Sequence, residues 1–77
     1  MERSLADLKP GERARVTRFT DMGPLAQRIM SLGLVEGSEV QVVRRAPAGD
    51  PIEIRVMDYA LSLRRHEAST IRVESLS

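Results

Sequence analysis

Residues 31–56, SLGLVEGSEVQVVRRAPAGDPIEIRV, hold the end of a helix, a tight turn, and two β-strands joined by a loop punctuated with proline and glycine. Gly33 stands where a C-terminal helix cap belongs, because glycine enters the left-handed conformation at little cost. Leu34, just beyond it, can fold back on the helix as a hydrophobic contact. Val35-Glu36-Gly37-Ser38 reads as a turn, and a strand follows over about 39–46 with Val40 and Val42 on one face. Val43 breaks the alternation, which predicts either a bulge nearby or a strand with both faces partly covered. Ala46-Pro47-Ala48-Gly49-Asp50-Pro51 makes the connection, its prolines confining the strand ends. Residues 52–57 then alternate cleanly, with Ile52, Ile54 and Val56 inward and Glu53 and Arg55 outward.

Upstream, Pro24 suits the first turn of a helix, where its missing N–H is not needed. Leu25, Ile29 and Leu32 recur along one stripe, so the sequence predicts a helix over about 24–32. A helix this short is marginal alone and must be held by packing on strands. Before it, residues 12–19 form a half-buried strand with Ala14 and Val16 on one side and Arg13, Arg15 and Thr17 on the other. Leu5 and Leu8 suit a helical turn near 4–8, which Lys9-Pro10-Gly11 stops. Downstream, a tight hairpin at Asp58 leads to a strand over 59–64 that buries Leu61 and Leu63, Asp58 being tolerated at positive φ. A helical turn near 65–69 and a strand over about 70–74, burying Ile71 and Val73, complete the chain. Five short strands with closely spaced turn signals predict a mainly β fold, a small five-stranded barrel with one short helix. Residues 1–77 read as a single domain with no repeat or linker.

Composition narrows what such a barrel can do. The 77 residues contain no cysteine, so neither disulfides nor a thiolate zinc site can reinforce a small core, and the chain fits a reducing cytoplasm. No apolar run is long enough to span a membrane, and charges interrupt what would be a leader's apolar region. Both features predict a soluble protein without direct membrane insertion. Eleven of the twelve basic residues are arginine, yet net charge is only +1, which argues against electrostatically driven nucleic-acid binding.

No catalytic set emerges. His66 is the single histidine, and a Ser-His-Asp arrangement would need it beside Ser62 or Ser69 with an orienting acid. His66 is also the one weak metal candidate. Adjacent His66 and Glu67 cannot share a helix face, and no second histidine completes a transition-metal site, so the residues call for no cofactor. Arg44-Arg45 and Arg64-Arg65 raise an RNA-binding alternative. Binders of that type interleave stacking aromatics, however, and here the aromatics are Phe19 and Tyr59 alone. The arginine pairs therefore read as solvated strand faces. Met22, Met30, Val35, Val43 and Met57 fall off the inward phase, and either form a docking or homo-oligomer surface or cover the barrel ends.

The ordered set Leu8-Lys9-Pro10-Gly11-Glu12, Arg28, Leu32-Gly33-Leu34, Gly37, Ala46-Pro47, Gly49-Asp50-Pro51, Leu61-Ser62-Leu63-Arg64-Arg65, Glu67-Ala68 and Ile71 resembles the ferrous iron transport protein A (FeoA) family. It departs from the family pattern at Glu36, where proline is frequent, and at Asp58, where glycine is common. The resemblance implies an SH3-like barrel and a non-enzymatic cytoplasmic accessory, peripheral to the inner membrane. Its implied partner is the cytosolic, GTPase-containing part of the ferrous-iron permease FeoB, whose transport it would modulate. The family is often described as metal-binding, so a direct Fe(II) sensor or chaperone is the alternative. Off-phase apolar residues beside a rigid loop place the expected partner surface on Arg28, Met30 and Val35, together with Pro47, Gly49, Asp50 and Pro51.

Overall fold

The computed structural model describes residues 2–57 and 59–76. The strands β1 (Glu2–Ser4), β2 (Arg13–Phe19), β3 (Glu39–Arg45), β4 (Ile52–Val56), β5 (Tyr59–Leu63) and β6 (Ile71–Ser75) form one antiparallel sheet in the order β1-β6-β2-β3-β4-β5. The sheet curls into a barrel-like shape without closing, leaving β1 and β5 as its edges. A 3-10 turn at Leu5–Asp7 follows β1, α1 (Pro24–Ser31) links β2 to β3, and α2 (Arg65–Ala68) links β5 to β6. This is the mainly β architecture with one short helix and two helical turns that the sequence predicts.

Alternation builds the core. Val42, Ile52, Ile54, Leu63, Ile71 and Val73 are fully buried, and Leu5, Leu8, Ile29 and Leu34 close over them from the turns and α1. Side chains on one face of β2, β3, β4, β5 and β6 thus meet in one apolar cluster, the main favourable term in so short a chain. In β3 the register with β4 shifts between Val42 and Arg44, and Val43 turns outward, so the broken alternation does mark a bulge. A second shift lies in β2 between Val16 and Arg18. It brings Phe19 back to the buried face that Ala14 and Val16 occupy.

Four features differ from the sequence reading. The sheet has a sixth strand, β1, paired through Arg3↔Val73. Three residues carry no readable alternation, and side-chain bonds add to the ladder with β6: Glu2 accepts from Arg18 Nη2 at 3.1 Å, and Arg3 Nη1 donates to Glu12 at 2.9 Å. Leu32 does not finish the apolar stripe of α1. The helix ends at Ser31, Leu32 becomes its C-cap and lies 40% exposed, and Leu34 beyond Gly33 makes the core contact. Met30, expected off the inward phase, is half-buried and packs against the core. Arg45 is not a solvated strand residue either. Its Nη1 donates to the carbonyls of Ala6 at 2.8 Å and Leu8 at 2.7 Å, tying the 3-10 segment to β3. Met57 takes positive φ in the β4–β5 turn, whereas the expectation for Asp58 lies outside the described residues.

A candidate docking surface around the two helices

Arg28 and Asp50 are far apart in sequence, yet both reach α2. Arg28 on the exposed side of α1 forms an ion pair with Glu67, whose side chain is only 6% exposed. The other Glu67 oxygen accepts the Arg64 amide at 2.8 Å and so caps α2. A buried carboxylate is costly unless paired, and Glu67 has both a cation and a backbone donor. At the start of α2, Asp50 Oδ1 accepts the Arg65 amide at 3.0 Å. That contact anchors the β3–β4 loop, in which Gly49 donates to the Ala46 carbonyl at 2.7 Å and Pro51 follows a cis peptide bond. Pro47 and Pro51 are exposed, while Gly49 and Asp50 are half-buried. Helix α2 therefore bridges the loop to α1.

The far end of α1 is apolar. Tyr59 at the start of β5 donates its hydroxyl to the Leu32 carbonyl at 2.7 Å, and a side chain at Gly33 would collide with that hydroxyl. Gly33 has φ +97°, so it satisfies both the helix cap and the approach of Tyr59. Beyond it, the Val35 amide donates a hydrogen bond to Ser38 Oγ at 3.0 Å, and Ser38 lines a shallow depression together with Gly37 and Met57. Leu32, Val35, Met57 and Tyr59 are each at least 40% exposed, and make up most of the large exposed apolar side chains among the described residues. Sequence reasoning selected Val35 and noticed Met57. It missed Leu32, assigned to the inward stripe, and Tyr59, considered only for base stacking. The spacing of Gly33 and Tyr59 carries no local signal of their contact.

Little here supports chemistry. His66 is exposed on α2 in a polar depression that Asp7 and Asp50 also line. Both carboxylates already accept backbone amides, Asp7 from Ser4 and Asp50 from Arg65. Among the described residues, no three of His, Cys, Asp and Glu come together as metal ligands. The Ser69 hydroxyl donates to the backbone carbonyl of His66, not to its ring. Phe19 is buried and Tyr59 is engaged with Leu32, so no stacking platform accompanies the exposed Arg44, Arg64 and Arg65. Among the described residues, no helix is long and apolar enough to cross a membrane.

Comparison with known proteins agrees with this geometry. The FeoA domain family model matches residues 3–75. A fusion protein of Fe(2+) transport protein A and Fe(2+) transporter FeoB from Porphyromonas gingivalis is 41% identical over 73 residues, covering 95% of this chain; the chain spans 9% of that relative's length. The FeoA-like protein of Clostridium acetobutylicum superposes with a TM-score of 0.92 at 34% identity, over 99% of this chain and 88% of that one. A zinc complex of Stenotrophomonas maltophilia FeoA, described as a prokaryotic SH3 domain protein, gives 0.81 at 30% identity, over 94% and 89%. The fold is SH3-like, and the chain belongs to the FeoA family, which the fused relative links to ferrous iron transport.

Proposed function

We propose that this chain is a non-catalytic accessory domain that binds the cytosolic part of the ferrous-iron permease FeoB and modulates transport. The observation that carries this reading is the fused relative, in which the two components share one polypeptide. Covalent fusion imposes proximity, which suits components that act together. In the proposed arrangement the protein works in the cytoplasm and reaches the inner membrane only through its partner.

The docking surface proposed runs from the exposed Pro47 and Pro51 across α2 to Arg28, and along α1 to Leu32, Val35 and Tyr59. An apolar centre with a charged margin is the usual anatomy of a protein interface. Met30 contributes from beneath, by holding α1 on the core.

Binding of the purified chain to the permease's cytosolic region tests the reading. Val35→Asp is the informative variant, because Val35 is 46% exposed and outside the core cluster, so its loss would not unfold the protein. Wild-type binding with at least about tenfold weakening in Val35→Asp is expected, a change of about 1.4 kcal/mol. No wild-type binding would remove the proposal, and binding indifferent to Val35→Asp would move the surface elsewhere. Anaerobic Fe(II) titration of wild type and His66→Ala addresses the metal-sensor alternative: tight binding lost in the variant would replace the adaptor reading.

A further inference from the structure

The outer edge of β5 is an open pairing site. β4 and β5 are joined by only two residues, and Val56↔Tyr59 is the closing pair. In such a hairpin the closing pair exchanges hydrogen bonds and the pairs then alternate, so Tyr59, Leu61 and Leu63 bond to β4. The N–H and C=O groups of Ala60 and Ser62 consequently point away from the sheet. Among the described residues they have no backbone partner outside the strand ladders, and both residues are exposed. Natural edges are usually protected by lysine, proline, a bulge or an inward charge. Residues 59–63, YALSL, have none of these, and β5 pairs with β4 in unbroken register.

We propose that this edge pairs with β5 of a second copy of the chain, antiparallel, about a two-fold axis at Leu61. Three symmetric registers keep the outward-pointing groups facing one another, with the axis at Ala60, Leu61 or Ser62. The Leu61 axis alone places Ala60 opposite the partner copy's Ser62 twice over, so that both residues of each strand use both free groups. Charge selects the same register. On the outer face, Ala60 lies beside Arg55 of β4, and Ser62 beside Glu53. With the axis at Leu61, each cross-sheet row runs Arg55, Ala60, Ser62, Glu53, with opposite charges flanking two small side chains. An axis at Ala60 would put two Arg55 residues in one row, and an axis at Ser62 two Glu53 residues. Neither Glu53 nor Arg55 has an ion-pair partner among the described residues. On the other face, half-buried Leu61 lies opposite its own copy, and Tyr59 lies opposite the position of the fully buried Leu63.

Sedimentation equilibrium on the full chain tests this. The wild type is expected to show a concentration-dependent monomer–dimer equilibrium. Ala60→Pro removes an outward N–H that β4 does not use, so it should preserve the circular dichroism spectrum and raise the dissociation constant at least about tenfold. Glu53→Arg should also weaken the dimer, and Glu53→Arg with Arg55→Glu should restore it, because the charges are then exchanged between rows. The charge series decides the matter even if Ala60→Pro does not fold. A wild type that stays monomeric to about millimolar concentration, far above typical working concentrations for specific association, overturns the proposal. A dimer indifferent to Glu53→Arg, or one that the double variant fails to restore, overturns it equally.

Discussion

Arg28 and Glu67 join α1 to α2 through an ion pair in which the cation faces solvent and the carboxylate is buried. The asymmetry sets the cost of removing each partner. Arg28→Ala leaves a buried carboxylate that still accepts the Arg64 amide, and water can approach from the exposed side; a loss of about 1–2 kcal/mol is expected. Glu67→Ala removes the pair and the cap together, and should cost about 2–3 kcal/mol. Urea unfolding of both variants and their double mutant would give the coupling, which should be clearly non-zero.

Gly33 and Tyr59 form a second coupled pair. Gly33→Ala must hold a left-handed backbone, costing about 1–2 kcal/mol, and must also displace the Tyr59 hydroxyl from the Leu32 carbonyl, a further cost of about 1 kcal/mol. In a Tyr59→Phe background the second contribution is already absent. The alanine substitution should therefore cost less there than in the wild type, which thermal melts of the four proteins would show.

Acid should loosen the β1 end. The Arg3 guanidinium, then the Lys9 amide, hold the Glu12 carboxyl below its ordinary value of 4.5, and Arg18 with Thr17 does the same for Glu2. A carboxylate lowered in the folded state stabilises above its unfolded value, and that contribution disappears as pH falls through the folded one. The melting temperature should hold steady above pH 4.5 as far as these groups are concerned, and drop below it. Glu12→Gln should lower it at neutral pH and make the acid slope shallower.

Arg45→Met keeps the aliphatic stem but removes both hydrogen bonds to the 3-10 segment. Charge-assisted bonds of this kind contribute more than neutral ones, and a loss of about 2 kcal/mol is expected. Amide exchange at Leu8, which bonds back to the Leu5 carbonyl, should accelerate more than exchange in β4.

What the sequence disclosed was local. Period-two alternation located the long strands, its interruption at Val43 located a bulge, and proline before with glycine after bounded α1. The features it concealed depend on chain segments meeting in space. β1 is too short to alternate and exists because β6 accepts it. The inward stripe of α1 ended one residue early because the cap turns Leu32 outward, so an apolar residue counted as core joined the surface. Arg45 resembled any strand arginine until the 3-10 carbonyls came within reach. Of the residues in the proposed docking surface, the exposure of Val35 and the turn character of the β3–β4 loop were legible from phase and turn chemistry. The role of Arg28 as a strut, and the arrival of Tyr59 beside Gly33, required the fold.

The pairing of β1 with β6 sets Glu2 opposite Glu74, so the two described ends of the chain lie side by side. A tether attached at either end would leave from nearly the same point on the domain. For a module that meets a larger partner in cis, linker length would then govern effective concentration, and the choice of end would matter little. Joining such a domain ahead of or behind a partner becomes a nearly equivalent construction, with the same reach and the same faces presented.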